Sequence, residues 1–289
     1  VLSENVFPNL QYFLVEDKDR GLTKQRNFGI QRVSENSEMV CFLDDDTVLE
    51  ENYFEEIIKT YRLYPEALGV GGYINNEVQW TFAGENYQPD STEFYYDGWK
   101  RKDGSRFVLR KKLGLDANRP PGFLPEFSNG RSIGFLPPSG KIYEVEQLMG
   151  GVSSFRRSVF ESFQFSVFFE GYGLYEDADF SIRALQFGKN VINTKVQLNH
   201  YHHPSGRPNS YKYGKMVVRN GWYVWRTKNA NPDISATFKW HAITLLLTLI
   251  RFANAITTTA KKEAFTEAVG RTVGWWSLFF RKPNTKSID

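Results

Sequence analysis

Short apolar runs and helically spaced apolar positions take turns along the first half of the chain. Tyr12–Phe13–Leu14–Val15 has the pattern of a strand, and the charged stretch Asp17–Lys18–Asp19–Arg20–Gly21 after it predicts a turn. Thr23 then opens a predicted helix with apolar positions at Phe28, Ile30 and Val33. Met39 to Leu43 is an apolar run that stops at three carboxylates, Asp44, Asp45 and Asp46. Phe54, Ile57, Ile58 and Tyr61 recur at helical spacing, and Leu68–Gly69–Val70–Gly71–Gly72–Tyr73 predicts another buried strand. Strand, helix, strand, helix, strand predicts an α/β fold with a mostly parallel central sheet flanked by helices. In such a sheet a buried strand delivers the residues at its carboxyl end to a crevice, so the three acids are presented there.

The pattern breaks from about Asn75 to Tyr143, where Pro120–Pro121, Pro137–Pro138, many glycines and scattered aromatics stand. Long irregular segments in compact domains serve as lids or binding loops. Within this one a hairpin is predicted around Asp103–Gly104. Order resumes at Val145 to Gly151 and continues through Phe155–Arg156–Arg157 into a helix-like stretch with Val159 and Phe160. A second acidic cluster, Glu176, Asp177 and Asp179, leads into a predicted helix through Phe180, Ile182, Ala184, Leu185 and Phe187 that Gly188 ends. Asn190 to Leu198 predicts a strand that delivers His200, His202 and His203.

Towards the C-terminus, Trp240 to Ile256 is rich in Leu, Ile and Ala, but Arg251 interrupts it. The uncharged run is shorter than the roughly 18 to 20 residues that a spanning helix needs. Phe265, Val269, Val273, Trp276 and Phe280 then recur at helical spacing, and basic residues outnumber acids across both stretches. A basic, aromatic, amphipathic segment suits the surface of an anionic membrane. A helical pair packed on the rest of the chain, or a dimer contact, has the same pattern.

Composition narrows the class. With 289 residues, 41% hydrophobic and 24% charged, the chain is a folded globular protein and not a disordered one. Aromatics at 16% are frequent, and several, such as Trp80, Tyr95, Tyr96 and Trp99, lie in polar surroundings that suit sugar faces. A net charge of +3, with no basic run interleaved with aromatics, excludes nucleic acid as the expected partner. Cys41 is the single cysteine, so no intrachain disulfide forms, and its apolar strand makes it a core residue that fits a reducing compartment. Val1 to Leu10 carries charge, Asn and Pro where a signal peptide needs an apolar segment. The sequence begins without Met, as a fragment or a processed product does.

The acids carry the candidate chemistry. Three adjacent carboxylates repel one another unless a cation or hydrogen-bond donors offset the charge. A divalent ion with oxygen ligands, Mg²⁺ or Mn²⁺, meets that need. So does a solvated acidic loop in which Asp46 or Thr47 caps the next helix. Lys24, Arg26 and Asn27, at a helix start after Gly21, form either a phosphate site or a solvated helix face. Gly150–Gly151 permits close backbone approach to a ligand or a turn. Three of the four histidines fall within positions 200 to 203, a clustering expected of ligands or acid/base groups.

In this order the motifs resemble those of the inverting glycosyltransferases of family 2, which have the GT-A nucleotide-diphospho-sugar-binding fold. Gly21–Leu22–Thr23–Lys24–Gln25–Arg26–Asn27–Phe28–Gly29 resembles the family's Arg-Asn-x-Gly segment, and Asp44–Asp45–Asp46 its Asp-x-Asp element. Gly150–Gly151 with Phe155–Arg156–Arg157 resembles the glycine and Arg segment beside the donor sugar. Glu176–Asp177 resembles the Glu-Asp element, His200 a recurrent histidine, and Arg219–Asn220 a further recurrent pair. The resemblance spans Tyr12 to about Lys228. It lacks the strand, helix and strand with which relatives begin, so it implies an N-terminally truncated catalytic domain over residues 1–230, with an irregular insertion at about 75–143. Residues 231–289 then form a C-terminal amphipathic helical segment.

The resemblance also implies roles. A nucleotide-diphospho-sugar is the donor and a hydroxyl of a glycan or lipid-linked molecule the acceptor. Asp46 holds Mg²⁺ or Mn²⁺, Asp44 or Asp45 assists at the metal or the ribose, and His200 or His202 completes the metal or phosphate site. Lys24, Arg26 and Arg207 contact phosphate, and Asn27, Gly150 and Gly151 line the donor site. Asp177 is the first candidate for the general base and Glu176 the second. The expected place is the cytoplasmic face of a bacterial inner membrane, held peripherally, in polysaccharide or similar glycan synthesis. A non-catalytic carbohydrate-binding or scaffold protein, or a nucleotide-sugar hydrolase, are the competing classes.

Overall fold

A computed structural model of the protein describes residues 9–169, 171–201 and 208–285. The helix predicted from Thr23 is α1 (Leu22–Ile30), and the acid-terminated run is β1 (Met39–Leu43), followed at once by β2 (Thr47–Leu49). Next come α2 (Tyr53–Leu63) and β3 (Ala67–Ile74). The excursion holds β4 (Thr81–Phe82), β5 (Glu93–Tyr96), β6 (Trp99–Lys102) and α3 (Ser105–Lys112). The chain re-enters the core as β7 (Ile142–Val145), β8 (Val152–Arg156), α4 (Val159–Ser162), α5 (Glu176–Ala184) and β9 (Lys189–His200). Three long helices follow: α6 (Ser210–Lys228), α7 (Ile234–Thr257) and α8 (Lys261–Phe280).

The fold is mixed α/β with a central sheet, but the expected mostly parallel sheet is wrong. The strand order is β1-β8-β3-β9-β2, with β7 also on β9. Among the described residues β3–β9 is the parallel pairing of this sheet, and the pairings β1–β8, β3–β8, β2–β9 and β7–β9 are antiparallel. The sequence pattern has the strand directions right for β1, β3 and β9, since β1 and β3 each run against β8 and β3 runs with β9. What it misses is insertion: β8, returning from the excursion, slots between β1 and β3 with the opposite sense. The three expected carboxyl ends still meet at one edge, now joined by the amino ends of β2 and β8.

Other expectations shift locally. Residues 10–16 form no strand, and Tyr12 and Leu14 are exposed. The hairpin turns at Asp97–Gly98, both at positive φ, and not at Asp103–Gly104. Tyr95, Tyr96 and Trp99 flank the first Asp-Gly with strand formers. Asp103 is instead buried against Arg131 and Lys111 (2.9 and 2.8 Å), and Gly104 precedes α3. Neither Asp46 nor Thr47 caps a helix, because β2 intervenes before α2.

The core has two parts that matter for the site. Beneath the sheet, Val40, Leu148, Phe155, Phe165, Phe180 and Ile192 pack together, with the Phe165 and Phe180 rings stacked at 4.2 Å. The second part joins the C-terminal helices to the rest: Phe127, Val218, Trp222 and Trp225 share one cluster with Trp240, Ile243 and Leu278. α6 and α8 approach until an added Cβ on Gly214 would stand 2.1 Å from the Glu267 carbonyl oxygen, and one on Gly270 2.1 Å from that of Tyr211. Only glycine fits such backbone contact. α7 is 24 residues long with mean hydropathy 1.3 over its most apolar window, long and apolar enough to cross a membrane, and 17% of that window is buried. The single charge at Arg251, which broke the run in sequence, does not break the helix.

Candidate active site

β1 ends at Asp44, and the chain reverses through Asp45 and Asp46. The Thr47 N–H and hydroxyl both donate to the Asp44 carbonyl (3.2 and 2.7 Å), which fixes the turn. β2 then lies antiparallel to the end of β9, with Thr47 opposite His200, and the Tyr201 N–H donates to the Asp46 carbonyl at 2.9 Å. This register brings His200 Nε2 to 3.0 Å from Asp46 Oδ1. One ligand atom from each of Asp44, Asp46 and His200 lies within 4.8 Å of the others. The far ring nitrogen, Nδ1, lies 3.1 Å from Glu77 Oε1. Asn76 clamps the His200 backbone from both sides, accepting from its N–H at 2.9 Å and donating to its carbonyl at 2.8 Å. Two carboxylates and an imidazole whose other nitrogen meets a carboxylate form a donor set that fits a divalent cation, with Glu77 orienting the ring.

Gly150–Gly151, the turn into β8, is the second organising feature. The Asp44 N–H donates to the Gly151 carbonyl at 3.1 Å, and a Cβ on Gly151 would meet Asp44 Oδ2 at 2.1 Å. A Cβ on Gly150 would meet Glu176 Oε1 at 2.7 Å and Arg26 Nη2 at 2.8 Å. Neither glycine has positive φ, so space and not backbone freedom demands them. The Gly150 N–H donates to Asp177 Oδ2 at 3.0 Å. Two residues of one turn therefore hold both acidic clusters side by side.

α5 starts abruptly. Tyr175 sits in the left-handed region (φ 72°), a conformation costing a non-glycine residue about 1 kcal/mol or more. Asn220 of α6 donates to the Leu174 carbonyl just before it, at 2.9 Å. Glu176 is 4% exposed and takes a hydrogen bond from Arg26 Nη1, whose guanidinium also lies over the Phe42 and Phe165 rings. Its second oxygen, Oε2, is buried without a hydrogen-bond partner among the described residues. Burial pushes the Glu176 carboxyl up to about 8; Arg26 opposes this, and the charges of Asp177 and Asp44 add to it. Asp177 is half-buried. Asp44 is exposed as a residue, yet its carboxyl lies against Gly151 and loses hydration, which raises it; Arg26 works against the rise, and Asp46 adds to it. Asp179 takes no part, being bound to Arg183 at 2.7 Å.

A groove of about 460 Å³ opens beside Asp44 between α1 and β1, lined by Gln25, Arg26, Val33, Val40 and Phe42. Of the other residues singled out in the sequence, Asp45 is exposed at the tip of the turn. Lys24 Nζ reaches the Lys18 carbonyl at 3.2 Å. Asn27 is buried, with both ends of its amide on the Phe165 backbone at 2.9 Å, so it ties α1 down. Arg156, at the far end of β8, donates to the carbonyls of Ala67 and Tyr61. His202 and Arg207 lie outside the described residues. Asn76 and Glu77 were missed in the sequence, though they follow β3 as Asp44 follows β1 and His200 closes β9. The strand-end signal was the same.

A comparison with curated proteins finds no match to this chain. The model of glycosyl transferase family 2 matches residues 7–147, a stretch that contains Arg26, the Asp44–Asp46 turn and Glu77 and ends before the Gly150–Gly151 turn. This 289-residue chain carries a family-2 glycosyltransferase domain over residues 7–147.

Proposed function

We propose that the protein transfers a sugar from a nucleoside-diphosphate donor to a hydroxyl group with inversion at the anomeric carbon. The observation that carries this reading is the convergence, on one glycine turn, of the Asp44–Asp46–His200 donor set and the Glu176–Asp177 pair. A divalent ion, when bound by Asp44, Asp46 and His200, would supply charge stabilisation for the departing diphosphate. Of the two candidate ions, Mn²⁺ takes an imidazole ligand more readily than Mg²⁺ does. The groove beside Asp44 receives the nucleoside, with Phe42 and Val40 as apolar wall and Arg26 at its polar end.

In the reaction the acceptor oxygen forms a bond to the anomeric carbon while the bond to the diphosphate oxygen breaks, and the hydroxyl proton passes to a carboxylate. Asp177 is that base. Glu176, raised to about 8, keeps its proton near neutrality and is clamped by Arg26, so it serves to position Arg26 and the turn. We assign residues 1–230 to the catalytic domain and 231–289 to a helical segment that associates with a membrane surface through α7.

Calorimetric titration with nucleoside diphosphates tests the reading. Binding that requires Mn²⁺ and is lost in Asp46→Ala is the expected result; binding indifferent to both the ion and the substitution sinks it. Product analysis with acceptor present separates transfer from hydrolysis, which would release free sugar at the same rate without acceptor.

A further inference from the structure

A second cavity, of about 230 Å³ and lined in part by Tyr175 and Ala178, lies between α3, α5, α6 and α7. One wall is cationic: Arg106, Arg110 and Arg271 all face it. Arg110 is 3% exposed, donates Nε to the Leu115 carbonyl (2.9 Å) and Nη1 to that of Asn129 (3.2 Å), and leaves Nη2 buried without a hydrogen-bond partner among the described residues. A buried guanidinium N–H without an acceptor is costly. The nearby carboxylates are shared with other cations. Asp116 is bonded to Arg131 at 2.7 Å, and Glu267 is shared between Arg271 (2.7 Å) and Arg251 (2.8 Å). Arg106, an exposed residue, lies over the Phe107 ring at 4.8 Å. Burial pushes Arg110 down to about 10; Asp116 opposes this, and the like charges of Arg131 and Arg106 add to it.

Part of the lining is apolar. Trp240, Ile243 and Leu247 supply it from α7, the helix that is long and apolar enough for a membrane. A ligand that meets both parts must be anionic at one end and apolar beside it. Arginine forks match phosphate oxygens bidentately. Tyr175 and Ala178, which line the cavity, bracket Glu176 and Asp177 in the chain, so an anion held here is coupled through the start of α5 to the proposed base.

We infer that this cavity binds the phosphate group of an amphipathic acceptor, a phosphate ester joined to an apolar chain, and so fixes the acceptor relative to Asp177. The acceptor role rests on the transferase reading above; the phosphate site does not. Titration of the full chain with dodecyl phosphate, below its micelle concentration, tests it. Inorganic phosphate and the neutral amphiphile dodecyl maltoside are the comparison probes. Dodecyl phosphate should bind more tightly than either, and Arg110→Gln should weaken it by at least ~10-fold, the loss of a charge-assisted hydrogen bond. Because Arg110 also holds two backbone carbonyls, Arg106→Gln on the exposed side supplies a second variant that keeps the fold, and it should weaken binding in the same sense. Equal affinity for inorganic phosphate or for the neutral amphiphile overturns the inference, as does undiminished binding in Arg106→Gln and in folded Arg110→Gln. Manganese-dependent nucleoside-diphosphate binding, measured in the same samples, should be unchanged by either substitution. Its presence without dodecyl phosphate binding refutes the cavity alone, and its absence with dodecyl phosphate binding refutes the transferase reading alone.

Discussion

Glu176 and Asp177 are sequence neighbours with different surroundings. Glu176 points into the protein against Arg26, and Asp177 accepts from Gly150 at the surface of the turn. Asp177→Asn keeps the shape and the Gly150 hydrogen bond but removes the proposed proton acceptor, so turnover should fall by ~10²–10⁴-fold with nucleotide affinity nearly unchanged. Parallel loss of affinity, read by calorimetry, would take Asp177 out of the base role. Glu176 gives a stability test. Its carboxyl rises from an ordinary 4.5 to about 8 in the fold, so between those values the folded state holds more protons than the unfolded one. Stability contributed by this group is therefore full below about pH 4.5, falls as pH rises through about 8, and is flat above. Denaturant unfolding across pH should show this slope in the wild type and a flatter one in Glu176→Gln. Glu77 acts through His200: Glu77→Gln should weaken Mn²⁺ binding by ~10–100-fold, the usual loss when a ligating histidine loses its orienting carboxylate.

Between elements, close backbone approach does the positioning. At the β1–β8 junction, Gly151→Ala would drive a methyl into the Asp44 carboxylate and so displace one member of the donor set. Mn²⁺ affinity should drop while the melting temperature changes little, because the turn is at the sheet edge and the core beneath is untouched. The contact between α6 and α8 predicts the opposite. Gly270→Val would push α8 off Tyr211 and open the cluster around Trp222 and Leu278, costing about 1–3 kcal/mol. Thermal unfolding should show that loss with metal affinity retained in the folded protein.

Across the whole molecule, α7 joins the two faces of the design. Its inner side, through Trp240 and Ile243, belongs to the shared core, and its outer side exposes Phe238, Leu249 and Ile256 at 71%, 64% and 80%. An exposed apolar strip on a core helix is favourable only where something apolar covers it. Flotation with anionic vesicles should recover the full chain, and Phe238→Asp with Leu249→Asp should abolish recovery without lowering the melting temperature. Equal recovery of the double variant would remove the membrane from the account.

Local patterning determined most of the elements. The apolar run to Leu43, the helical spacing of Phe54 to Tyr61 and the strand pattern from Asn190 to Leu198 are properties of neighbouring residues, and each formed where its period said, the last running on to His200. The chemistry at their ends was legible too, because a charged residue that stops an apolar run has only the sheet edge to occupy. Pairing was not legible. That β8 enters between β1 and β3 depends on contacts more than a hundred residues apart, such as Phe42 with Ser153, and no local period encodes them. The same holds for which acids meet. Asp44, Glu77, Asp177 and His200 are scattered through the chain, and tertiary structure alone decided that the Thr47–His200 register and the Gly150–Gly151 turn would bring Asp46 to His200 and Asp44 to the second acid cluster. The order of residues determined the kinds of group available at the edge, and packing without side chains at two glycines decided their company.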